Sequence, residues 1–131
     1  MKNSLKVLLA VLSFSFASVV LADNAPVTKE VVIAVNNVFV PAGFDSQTDA
    51  YVVLSGIFPN GCYQWSRSQV KDVTTFEHEI TSVATVSQGM CIQVLIPFSR
   101  DVKLGKLATG KHNLKFLSND GTYLEKNMVV E

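Results

Sequence analysis

The chain has 131 residues, 48% of them hydrophobic and 17% charged, with eleven basic side chains balanced by eleven acidic ones. That balance excludes bulk attraction to nucleic acid or to an anionic surface as the basis of function. Two cysteines and two histidines, with no close ligand spacing between them, exclude a zinc-finger type of site.

The chain opens with the three parts of a secretory signal. Lys2 and Lys6 give the positive end, and Val7 to Leu21 form an apolar run broken only by Ser13, Ser15 and Ser18. Val20-Leu21-Ala22 has the small residues that a signal peptidase reads, which places cleavage after Ala22. The run is shorter than the roughly 18–20 residues that span a bilayer as a helix, and no cysteine follows closely enough to accept a lipid. A retained anchor is the alternative reading. Residues 1–22 are thus expected to be a signal peptide and residues 23–131 a single domain, exported to a periplasm or secreted. The mature part has nine basic against eleven acidic residues and no later stretch able to span a membrane.

After the signal come short β-rich runs separated by turn residues. Val31, Ile33 and Val35 alternate on one face of a first strand, and Asn36-Asn37 is placed to bend the chain into Val38-Phe39-Val40. Pro41-Ala42-Gly43 ends that run. Tyr51 to Phe58 is the most strand-like segment, and Pro59-Asn60-Gly61 turns it into Cys62-Tyr63-Gln64-Trp65. In Thr74 to Val86, Phe76, His78 and Ile80 share one face and Glu77 and Glu79 the other, the pattern of a half-buried strand. Met90 to Ile96 reads as another compact run, stopped by Pro97. Val102 and Leu104 follow. Beyond Gly105 and Gly110, His112, Leu114 and Phe116 face one way and Lys111, Asn113 and Lys115 the other. Asn119-Asp120-Gly121 is a hairpin turn, because these residues tolerate positive φ, and Thr122 to Val130 is its returning strand.

Seven or eight strands without a helical stripe predict an all-β chain, folded as an immunoglobulin-like sandwich of two sheets. Cys62 and Cys91, both in the mature part of an exported chain, are expected to form one disulfide. Their separation is much shorter than in true immunoglobulin domains, so the bridge should tie different strands.

Several motifs carry a resemblance. Gly56-Ile57-Phe58-Pro59-Asn60-Gly61-Cys62-Tyr63, then Cys91, then Pro97-Phe98, then Val102 through His112 form one pattern. It resembles small secreted bacterial immunoglobulin-like β-sandwich domains of unknown function. Those domains carry a Gly-x-x-Pro-x-x-Cys segment, a second cysteine, a Pro-Phe pair and a Leu-x-x-Gly-x-Tyr corner. Val38-x-Val40-Pro41-x-Gly43-Phe44-Asp45 fits the same picture, and His112 stands where a tyrosine is usual. The resemblance implies a fold and no activity.

Candidate sites remain to be weighed. His78 and His112 both project onto apolar faces, as core histidines satisfied by their neighbours or as a copper pair with Met90 or Met128. Tyr63 and Trp65 flank the first cysteine, to pack on the disulfide or to present an adhesive patch. Arg100, Lys103, Lys106, Lys111 and Lys115 lie close in sequence, as a solvated face or an anion-binding one. No nucleophile elbow is present, Asp45 and Asp49 lack a calcium loop's spacing, and Glu77 and Glu79 have no evident partner group. The expectation is a non-enzymatic binding or structural module of the cell envelope, without a cofactor, whose partner is another envelope or extracellular protein. Two alternatives stand beside it. One is an inhibitor of an extracellular enzyme, acting through a rigid loop at Pro41 to Asp49. The other is a copper-handling periplasmic protein using His78 or His112.

Overall fold

The computed structural model describes Val19 and residues 27–131; the expected signal peptide, residues 1–22, otherwise lies outside the described residues. Eight strands form, and no helix is present among the described residues. They are β1 (Thr28–Ile33), β2 (Asn37–Phe39), β3 (Asp49–Phe58), β4 (Tyr63–Asp72), β5 (Glu77–Ser87), β6 (Ile96–Lys106), β7 (Gly110–Leu117) and β8 (Tyr123–Val130). The period-2 patterns choose the buried face. In β3, Ala50, Val52, Leu54 and Phe58 are buried, and in β7 the buried side chains are His112, Leu114 and Phe116.

The strands divide into two sheets, the sandwich that the alternation predicts. The smaller sheet runs β2-β3-β6 and is antiparallel. In the larger one β4 covers one edge of β5 along its length. The other edge of β5 is shared end to end. β7 pairs with residues 77–81 in parallel, β1 pairs antiparallel with residues 82–87, and β8 then pairs with β7. Val38, Val52, Leu54 and Val102 from the small sheet meet Ile80, Leu114, Phe116, Met128 and Val130 from the large one. A second cluster, Ile33, Phe58 and Ala84, is covered by Tyr63, Trp65, Ile96 and Phe98.

Cys62 and Cys91 are disulfide-bonded, with their Cα atoms 5.3 Å apart. The bridge joins the residue before β4 to the connection that carries the chain from β5 in one sheet to β6 in the other. It therefore fixes a crossover at one end of the sandwich.

Three strand expectations change. Thr74 to Phe76, read as the start of a strand, form the turn before β5, and Phe76 is exposed. Met90 to Leu95 is a loop, and β6 begins at Ile96 and continues through Pro97 rather than stopping before it. Proline is tolerated there because β6 is an edge strand whose only partner among the described residues is β3, so no second ladder needs the missing N–H. β4 also runs on to Asp72 through a mostly exposed, polar sequence. Pairing with β5, not local hydrophobicity, holds that half of the strand.

Candidate functional site

Parallel pairing of β5 with β7 sets Glu77 against Asn113 and His78 against Leu114, which brings His78 and His112 side by side. Both are buried, at 3% and 0% exposure. Their rings lie 5.1 Å apart between centroids, and His78 Nε2 is 2.8 Å from His112 Nδ1. Pairing of β4 with β5 sets Asp72 opposite His78, and the Asp72 carboxylate lies 2.6 Å from His78 Nδ1. At the far end, His112 Nε2 is 2.6 Å from the carbonyl oxygen of Ala108. Four groups thus form one continuous chain from an exposed carboxylate into the core.

Hydrogen counting constrains this chain. A carbonyl and a carboxylate only accept, so the two outer links take their hydrogens from His112 Nε2 and His78 Nδ1. The middle link needs a third, yet two neutral imidazoles carry only two N–H groups. When all three links are made, the histidine pair holds one extra proton opposite the Asp72 charge, or Asp72 itself carries it. Either way the assembly is neutral overall, which suits a site with two buried rings.

The hairpin Val73–Phe76 closes over this chain. Val73 N–H and Thr74 N–H donate to the Glu77 carbonyl, and Asn113 N–H donates to that of Phe76. The Phe76 ring sits 5.0 Å from the His112 ring. Gly110 makes room for it: its φ is +139°, and a Cβ there would stand 3.0 Å from Phe76. Beside His78 opens a cleft of about 310 Å³ lined by Asp72, Thr74, Thr75, Lys106, Leu107 and Ala108. All four ring nitrogens are engaged in the chain, so a copper ion at either histidine would have to displace these bonds. Met128 is buried beside His112 across β7 and β8, whereas Met90 is fully exposed. Among the described residues, no group of three or more His, Cys, Asp or Glu side chains is arranged to hold a metal.

The remaining candidates occupy other places. Tyr63 stacks on Phe58 at 5.8 Å, and Trp65 leans on Phe98 at 5.7 Å; both are half-buried near the disulfide. Lys103 and Arg100 lie on β6 in the small sheet, while Lys111 and Lys115 lie on β7 in the large one, so the basic run is split between sheets. Lys115 stands over the Tyr123 ring at 5.2 Å and faces Glu125 across the ladder. Outside the ladders, Asp45 accepts from Gln47 N–H and Thr48 N–H, both at 2.9 Å. These bonds hold its carboxyl below the usual carboxylate range. The expected loop at Pro41 to Asp49 is therefore internally braced, and Glu131 N–H ties it down through the Phe44 carbonyl at 2.9 Å.

Sequence reasoning missed two features. Asp72 gave no signal, because only strand register brings it to His78. The second is an apolar loop. Met90, Ile92, Val94 and Leu95 are exposed at 104%, 67%, 52% and 70%, on the connection that Cys91 staples to Cys62. Gly61 N–H donates to the Ile92 carbonyl at 2.9 Å, which binds the loop to the neighbouring turn as well.

Against known proteins, a family model described as the ORF11 beta-sandwich domain matches residues 52–130, from within β3 to the end of β8. No curated protein and no solved structure matches the chain.

Proposed function

We propose, for a chain that belongs to the ORF11 beta-sandwich domain family, an exported, non-enzymatic binding module that works through the disulfide-stapled end of its sandwich. The observation that carries this reading is the loop of four exposed aliphatic side chains, Met90, Ile92, Val94 and Leu95, held in place by Cys91. A cluster of exposed apolar side chains on a restrained loop marks an interaction site more often than chance exposure. A disulfide fits a chain that matures outside the reducing cytosol. The histidine chain fits a supporting role, since its nitrogens bond to one another, to Asp72 and to a backbone carbonyl.

The test is to fractionate cells producing the full chain and to analyse the product by mass spectrometry with and without thiol alkylation. The expected product lies outside the cytoplasm, lacks residues 1–22 and has no alkylatable cysteine. A reduced, full-length product in the cytoplasm would overturn the reading. Inhibition of an extracellular enzyme is the second reading, favoured by the bracing of Pro41–Asp49 around Asp45 and Thr48. It expects loss of inhibition on Asp45→Ala with the fold intact.

A further inference from the structure

We infer that the Met90–Leu95 loop is a lipid-contacting tip that sets the disulfide end of the sandwich against a bilayer, an inference resting on the reading of that end as the binding surface. Three observations select lipid over a protein partner. The first is chemical. Four of the loop's exposed side chains are apolar and the other, Gln93, donates its amide to the Cys91 carbonyl at 3.1 Å; no arginine or aromatic ring is among them, whereas protein interfaces draw their energy from Trp, Tyr and Arg anchors. Four such side chains also fall short of the roughly 800 Å² that each partner of a standard interface buries. Aliphatic tips need no hydrogen-bond partner and enter the acyl boundary directly.

The second observation is the absence of charge along the two segments that carry the loop; a charged side chain borders them at Lys29, opposite Val86 on β1. Residues 80–99 contain no charged side chain, and neither do residues 50–66, which supply the strand end and the turn that the disulfide joins to it. Ile57, half-exposed opposite Pro97, extends the apolar surface onto β3. A charged group in this frame would resist transfer from water, and the sequence places none there. The third is position. The Val27 carbonyl accepts from Gln88 N–H at 3.1 Å, so the chain enters β1 at the root of this loop. The apolar run Val7–Leu21 precedes that point with residues 22–26 between. Until cleavage, this end of the domain is the one joined to that run by sequence.

The experiment uses the chain as recovered from cells. A reporter is introduced by Met90→Trp, with the wild-type Trp65 emission as baseline, and a control by Tyr123→Trp on the exposed side of β8. Each is mixed with phosphatidylcholine vesicles carrying brominated acyl chains, with and without phosphatidylglycerol. The expected result is a blue shift and quenching for Met90→Trp alone, equal on both vesicles and unchanged by high salt. In flotation, Met90→Ser combined with Leu95→Ser lowers the vesicle-bound fraction roughly tenfold or more.

Several results would overturn the inference. One is no quenching at Met90→Trp, and another is equal quenching at Tyr123→Trp. Binding confined to anionic vesicles and lost in salt would assign the contact to the lysines instead. A concentration-dependent dimer abolished by Met90→Ser would assign the loop to a second copy. An exported, oxidised chain that fails to quench removes the lipid inference and leaves the module reading standing. A reduced cytoplasmic chain removes the module reading itself.

Discussion

Replacing His112 by leucine tests the buried chain directly. Leucine has nearly the volume of histidine and keeps contact with Phe76, so the change is chiefly one of hydrogen bonding. The Ala108 carbonyl belongs to an exposed residue and returns to water, so only the net worth of its bond is lost there. His78 is different: it is 3% exposed, and its Nε2 loses its partner in the core. A buried polar group left unpaired costs about 1–3 kcal/mol, and the lost bond to Ala108 adds about 1 kcal/mol. His112→Leu is therefore expected to lower stability by about 2–4 kcal/mol. The informative variant is the double one. With His78→Leu as well, no unpaired ring remains in the core, and Asp72, 70% exposed, simply hydrates. The double variant is expected to be more stable than His112→Leu alone, with a coupling of about 1–2 kcal/mol in a double-mutant cycle. Urea unfolding followed by Trp65 fluorescence measures all four proteins. Additive losses in the two single variants would refute the reasoning, because they would mean that the rings do not depend on each other.

Four further expectations follow from the same geometry. Long-range proton–nitrogen spectra of the histidine rings should show three bonded N–H groups shared between His78 and His112, or two and a protonated Asp72. Reducing the disulfide should cost about 3–4 kcal/mol in the chain-entropy account, read by calorimetry as a fall in Tm; no shift would mean that the β5–β6 crossover is held without it. Gly56→Ala drives a Cβ into the Phe98 ring, which is stacked 4.4 Å from Phe58, and should destabilise by about 1–3 kcal/mol; wild-type stability would show that the ring moves freely. Asp45 and Asp120 are held below their usual value of 3.8, chiefly by the Gln47 N–H and the Thr122 hydroxyl. Their stabilisation is complete above that value and is lost as pH falls through the lower folded one, so carboxyl NMR titrations should have midpoints below 3.8.

Much of the fold was legible because burial writes a period of two. Tyr51 to Phe58 announces a strand, His112 to Phe116 announces its inner face, and Asn119-Asp120-Gly121 announces its turn, where Gly121 takes a φ of +84°. The signal-like start of the sequence and the count of two cysteines pointed to the bridge. What stayed hidden depends on pairing between distant segments. Arg67 to Asp72 have no apolar alternation, yet β5 zips them into a ladder. Met90 to Leu95 look like a strand by composition, but the crossover between sheets leaves them without a partner strand among the described residues. The two histidines could be placed on inner faces from sequence alone. That they meet, with Asp72 as the third member, follows only from β5 lying between β4 and β7.

The shared edge of β5 also governs how the domain bears load. Thr28 starts β1 beside Ser87, and Val130 ends β8 beside Gly110, beyond the opposite end of β5. Tension applied between the two termini pulls along the strand axes, at right angles to the ladder bonds of an antiparallel pair. The six residue pairs of β1 with β5 are then loaded together in shear instead of one after another as in a zipper. A domain tethered at its N-terminal end and pulled by whatever holds the other would yield abruptly, with β1 as its mechanical clamp.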